Sequence, residues 1–104
     1  MKSTLIVNQG SLWKTTVWVL LSIGTHITSE EEDSETICMF LDMDEKANLV
    51  FFVQNEAKYL SISPDLIQFW IRDKWFKNIF EGNPNHKCVF ETNITLDTGT
   101  PITT

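Results

Sequence analysis

The chain has 104 residues, of which 42% are hydrophobic and 12% aromatic, enough for one modest core and too few for two. Its net charge of −6 is local: residues 28–56 hold nine acids against one base, Lys46, whereas the rest carries a slight positive excess. An acidic stretch of this kind repels nucleic acid and anionic membrane surfaces and attracts basic proteins, which excludes direct nucleic-acid binding and a membrane as expected partners.

Thr4–Val7 is a short β-branched run closed by Asn8-Gln9-Gly10. The pattern restarts with Trp13, Thr15, Val17, Val19, Leu21 and Ile23 on one side and Lys14, Thr16, Trp18, Leu20 and Ser22 on the other, predicting a strand over 12–23 and a hairpin with the first run. The apolar part, Val17–Ile23, is too short for a membrane span and lacks a small-x-small cleavage site after it. A soluble, cytoplasmic protein is the expectation.

The run Glu30-Glu31-Glu32-Asp33-Ser34-Glu35 follows, with a mobile loop expected over 28–36. Then come Thr36–Met43, Leu49–Gln54 and Lys58–Ile62, separated by short polar joints that suit an antiparallel meander. Leu49–Val53 is apolar at every position and predicts a central strand covered on both faces.

Ser63-Pro64-Asp65 places a capping hydroxyl, a proline at the first helical position and an acid near the positive end of the helix dipole. A long helix is predicted from there to Phe80 or Glu81, stopped by Gly82-Asn83-Pro84. At about 100° per residue, Leu66, Ile67, Trp70 and Ile71 share one face, while Phe69, Trp75, Phe76, Ile79 and Phe80 lie on a face about 180° away. The stripe changes sides near Arg72-Asp73. The helix either kinks there, buries both faces, or offers Trp75 and Phe76 to a partner. His86–Leu96 resumes alternation as a last strand, and 97–104 reads as a frayed tail.

The predicted fold is a single α+β domain over 1–104: an antiparallel sheet of five to six strands with one long helix from the C-terminal half packed on it.

Chemistry is hard to find. His26 and His86 are the only histidines, and no serine or cysteine stands in a nucleophile motif. Cys38 and Cys88 lie in apolar runs, where free, buried thiols are the expectation, with a single bridge between them as the alternative the sequence leaves open. His86-Lys87-Cys88 supplies two metal ligands where a structural zinc site needs four, and Asp42-Met43-Asp44-Glu45 opens like a calcium loop but lacks its glycine and closing glutamate. Four dispersed glycines form no phosphate cradle. No enzyme activity, metal or cofactor is expected. Arg72, Lys74 and Lys77 among Trp70, Trp75 and Phe76 could form a stacking surface, but Asp65, Asp73 and Glu81 flank them and a solvated helix flank is the simpler account. Asn93-Ile94-Thr95 fits a glycosylation sequon only in a secreted context.

Function is therefore expected from surface character. The first expectation is a small acidic inhibitor of a basic protein, either an immunity protein against a cationic toxin such as a nuclease or a phage-type inhibitor mimicking nucleic-acid charge. Glu30, Glu31, Glu32, Asp33, Glu35, Asp42, Asp44 and Glu45 would carry it, with Trp75 and Phe76 as apolar contacts. The alternative is an assembly component that forms homo-oligomers through aromatic helix surface or a strand edge, since four tryptophans and seven phenylalanines exceed a minimal core.

Overall fold

The computed structural model describes residues 2–28 and 31–95. Along the chain run β1 (Ser3–Gln9), β2 (Leu12–Thr16), α1 (Val17–Leu21), β3 (Glu35–Met43), β4 (Leu49–Val53), β5 (Lys58–Ile62), α2 (Pro64–Arg72), β6 (Phe76–Phe80) and β7 (Asn83–Thr92). Five strands form an antiparallel sheet in the order β5-β4-β3-β2-β6, and β1 and β7 form a separate two-stranded antiparallel ribbon. The architecture is mixed and strand-rich, α+β in kind, with two sheets in place of the one expected. No described helix is long and apolar enough to cross a membrane.

The meander β3-β4-β5 forms where the polar joints predict it. The hairpin between the first two runs does not form. Gly10 takes φ +78°, its N–H bonds the Phe40 carbonyl at 2.9 Å, and Phe40 N–H returns a bond of the same length to Ser11. The chain thus turns a corner onto β3, so β2 pairs with β3 and β6 while β1 swings out to meet β7. The strand expected over 12–23 stops at Thr16. Burial decides this against β propensity, because a turn of helix sends Val17, Val19 and Leu20 together into the core, where a strand would turn Leu20 away from the two valines.

The helix opening at Ser63 is formed as its sequence predicts: the Ser63 hydroxyl accepts the Leu66 N–H at 3.3 Å, Pro64 is the first helical residue and Asp65 sits in the first turn. Its length is not. α2 ends at Arg72, and Lys74 adopts the left-handed conformation at φ +67°. Trp75 N–H then bonds Trp70 O at 2.8 Å and Lys74 N–H bonds Ile71 O at 3.1 Å, the pair of bonds that closes a Schellman cap. This explains the apolar stripe that changed sides: after the cap at 73–75 the chain is a strand, and Phe76 enters the core from β6. The last strand also starts earlier than predicted, at Asn83, and stops earlier, at Thr92, since residues 93–95 leave the ladder; Leu96 and the frayed tail 97–104 lie outside the described residues.

The core lies between the five-stranded sheet and a second layer made of α1, α2 and the β1–β7 ribbon. Trp13, Cys38, Phe40, Phe51, Leu60 and Phe76 from the sheet meet Leu20, Ile67, Trp70, Val7 and Phe90. Phe76 is its hub. The ring stacks on Trp13 at 5.2 Å, meets Phe51 edge-on at 5.3 Å and leans against Trp70 at 5.9 Å. β4 is covered on one face only, since Leu49, Phe51 and Val53 are buried while Val50 and Phe52 remain half-buried. Gly82 marks the closest backbone approach: at φ +74°, a Cβ there would lie 2.5 Å from both Gln9 O and Ser11 N.

Phe76→Ala is expected to cost about 3–5 kcal/mol in chemical denaturation, as other buried aromatic truncations do, while Trp75→Ala, at a position 38% exposed, costs roughly 1–2 kcal/mol. Equal losses would show that both rings serve the core alike. Gly82→Ala is expected to lower the melting temperature well beyond Gly24→Ala; both sites have positive φ, but only at Gly82 does the new methyl meet backbone.

Candidate protein-docking surface

The acidic residues fall into two groups at opposite ends of β3. Glu35 opens that strand opposite Thr16, and Asp42 lies near its far end. Seven residues at about 3.3 Å each separate them by about 23 Å. The single patch suggested by their closeness in sequence does not exist.

At the first end, residues 31–34 form a turn in which the N–H and the hydroxyl of Ser34 both donate to Glu31 O, at 3.1 and 2.7 Å. Carbonyls of the same turn take the first amides of α1: Val17 N–H bonds Ser34 O at 2.8 Å and Trp18 N–H bonds Glu32 O at 3.0 Å. Those amides have no partner within the helix, so the loop serves as its N-terminal cap. These bonds tie the segment from Glu31 onward to the start of α1; Glu30 lies outside the described residues. Glu31, Glu32 and Asp33 are exposed, and Glu35 stands 3.6 Å from Lys14 Nζ.

At the second end the carboxylates serve the local fold. Asp44 accepts the N–H groups of Lys46 and Asn48 at 2.8 and 2.9 Å and the Ser61 hydroxyl at 2.6 Å, tying the β3–β4 turn to β5. The Ser61 hydroxyl, followed by these amides, holds the Asp44 carboxyl below its ordinary range. Asp42 accepts the Met43 N–H at 2.8 Å and the Cys88 thiol at 3.4 Å, and Glu45 is exposed in the turn. Back at the Glu35 end, beyond Val53, Glu56 plays a similar part, gripping the Thr28 N–H and hydroxyl at 2.8 and 2.9 Å, and the backbone bond is the main cause of its lowered pKa.

Trp75 and Phe76 separate. Phe76 is 1% exposed and belongs to the core, so it offers nothing to a partner. Trp75 is 38% exposed and meets Trp18, 39% exposed, edge-on at 5.2 Å. Its position is fixed from below by the Phe69 ring at 5.6 Å and by the Thr15 hydroxyl, which donates to Trp75 O at 2.7 Å. The two tryptophans and Lys14, Lys74, Lys77 and Glu35 line a shallow cavity of about 140 Å³. Trp18 and Lys14 carried no role in the sequence, because nothing local reveals that a residue of α1 meets one just before β6. Nor do the three basic residues form a helix flank: Arg72 stacks on Phe69 at 4.9 Å and pairs with Asp73, whereas Lys77 lies on β6.

Both cysteines are free. Burial pushes Cys38 up to about 12, and burial followed by the Asp42 carboxylate raises Cys88, so neither thiol is ionised at neutral pH. Among the described residues no three histidine, cysteine or carboxylate side chains gather as metal ligands. Comparison with family models, with curated proteins and with solved structures gave no match.

The lowered Asp44 value has a defined consequence for acid stability. A carboxyl whose folded pKa lies below its unfolded one contributes stability above the unfolded value and loses it as pH falls through the folded one. Asp44→Asn is therefore expected to lower stability at neutral pH and to flatten the acid limb of a melting-temperature profile. A parallel shift of the whole profile would remove Asp44 from the acid response.

Proposed function

We propose that the protein is a small binding module that neutralises a basic protein, with the loop 31–35 as its charged contact and Trp18 and Trp75 as its apolar contact. One observation carries this: the loop caps α1 through Glu32 O and Ser34 O, so its exposed acids are held in place beside two half-exposed tryptophans. A charged element that is already ordered loses little conformational entropy on binding. Tryptophan is enriched where interfaces concentrate their energy, while exposed carboxylates mainly accelerate encounter.

The target chemistry follows from the charges. Proteins that handle nucleic acid present positive clefts, and Glu31, Glu32, Asp33 and Glu35 offer a short run of carboxylates to such a cleft. An immunity protein against a cationic nuclease and a phage-type inhibitor of a nucleic-acid enzyme both fit this description. Asp42, Asp44 and Glu45 stand outside the contact, being about a strand's length away.

The test is association kinetics against a panel of cationic nucleases at low and moderate salt. A binder should lose about tenfold in association rate with Glu31→Lys/Glu32→Lys/Asp33→Lys, and its salt dependence should shrink. Trp18→Ala should instead speed dissociation. Kinetics unchanged by the charge reversal would end the proposal.

A further inference from the structure

The outer face of the five-stranded sheet is apolar and uncovered among the described residues. Strand pairing sets Phe80, Leu12, Met39, Phe52 and Tyr59 directly opposite one another, one from each strand, in an unbroken row across the sheet. Ile37 and Val50 flank it on β3 and β4. Leu12, Ile37, Met39, Val50 and Phe52 are only half-buried, Phe80 is 58% and Tyr59 67% exposed, and none joins the core cluster. Both helices and the β1–β7 ribbon pack on the opposite side. A one-sided antiparallel sheet ordinarily alternates apolar-in and polar-out, and a monomer seldom shows water an apolar row of this length.

The charges at its margins say what covers it. Beside the row on one side, Lys14 and Lys77 are directly paired across β2 and β6, a like-charge juxtaposition that Glu35, exposed and 3.6 Å from Lys14, offsets only in part. Beyond the other side stand Asp42 and Asp44, the latter held on Ser61 of β5. A target of one charge sign that spanned the whole face would meet a pole of its own sign at one end. A face with opposite poles and an apolar middle is complementary to itself, through a twofold axis lying in the face and perpendicular to the line joining the poles. Each lysine pole then meets the other copy's aspartates, and the two apolar rows cross near the axis.

We infer that this face is the interface of a homodimer, packed sheet against sheet at about 10 Å. This surface meets the contact proposed above at Lys14, Lys77 and Glu35, which also line the cavity beside Trp18 and Trp75, but its apolar row lies outside that contact, so Phe52 and Tyr59 test it alone.

Sedimentation velocity of the full chain across the micromolar range, at low and high salt, tests the inference. The wild type should form a dimer that high salt weakens. Phe52→Glu should be monomeric with an unaltered circular dichroism spectrum, and Tyr59→Lys, at the exposed end of the row, serves the same purpose if Phe52→Glu fails to fold. Lys14→Glu/Lys77→Glu and Asp42→Lys/Ser61→Lys should each raise the dimer dissociation constant by about tenfold, and mixing the two should give a heterodimer tighter than either homodimer. A wild-type chain that stays monomeric overturns the inference, as does a dimer indifferent to Phe52→Glu or a mixture no tighter than its parts. Capture of a cationic protein by a monomeric chain through Phe52 would assign the face to that partner and overturn it equally.

Discussion

The ring of Phe76 lies against Trp13 of β2, Phe51 of β4 and Trp70 of α2, so one side chain joins the sheet to its helix. It can do so only because α2 stops four residues earlier. Stopping there puts Lys74, a residue with a Cβ, into the left-handed region at a cost of about 1–2 kcal/mol. The two Schellman bonds return orphan carbonyls of the helix to partners, and burying a phenylalanine contributes about 1.5–3 kcal/mol before its aromatic contacts are counted. The balance favours the break. A continuous helix would keep its backbone bonds but would carry Phe76 about 120° around the axis from Trp70.

That break also creates the surface from which function has been argued. Because Phe76 turns inward, its neighbour Trp75 is left at the rim, where Thr15 holds its carbonyl and Trp18 meets its ring. Trp18 is in turn placed by the acidic loop, whose carbonyls cap α1. Carboxylates, tryptophans and the end of the sheet are thus coupled through backbone hydrogen bonds rather than through ion pairs. The ion pair of Lys14 with Glu35 is exposed on both sides, and pairs of that kind contribute little to stability. Its charges matter for encounter with other molecules.

β3 has the opposite effect on the remaining acids. As an extended strand between β2 and β4, it carries Glu35 and Asp42 far apart although only seven positions separate them. The sheet it runs through is unequal in its two faces. One is closed by both helices and the ribbon; the other presents an apolar row bordered by unlike charges.

Local signals in the sequence determined what local chemistry can determine. The cap at Ser63-Pro64-Asp65 and the β3-β4-β5 meander follow from a hydroxyl, proline geometry and alternation, each acting within a few residues. The reversal of the apolar stripe at Arg72-Asp73 was also visible, but its cause was not, since Lys74 does not announce a left-handed turn as glycine does. The acidic run was legible as composition and Trp75 as an aromatic without a fixed role, whereas Trp18 gave no sign of its place beside them. Helix or strand at Val17–Leu21, the parting of β1 from β2, the burial of Phe76 and the scattering of the acids were decided by tertiary structure alone. In each of these, two conformations of similar local preference differ in which side chains they bring together from distant parts of the chain, and burying those side chains outweighs the tenths of a kcal/mol that propensity supplies.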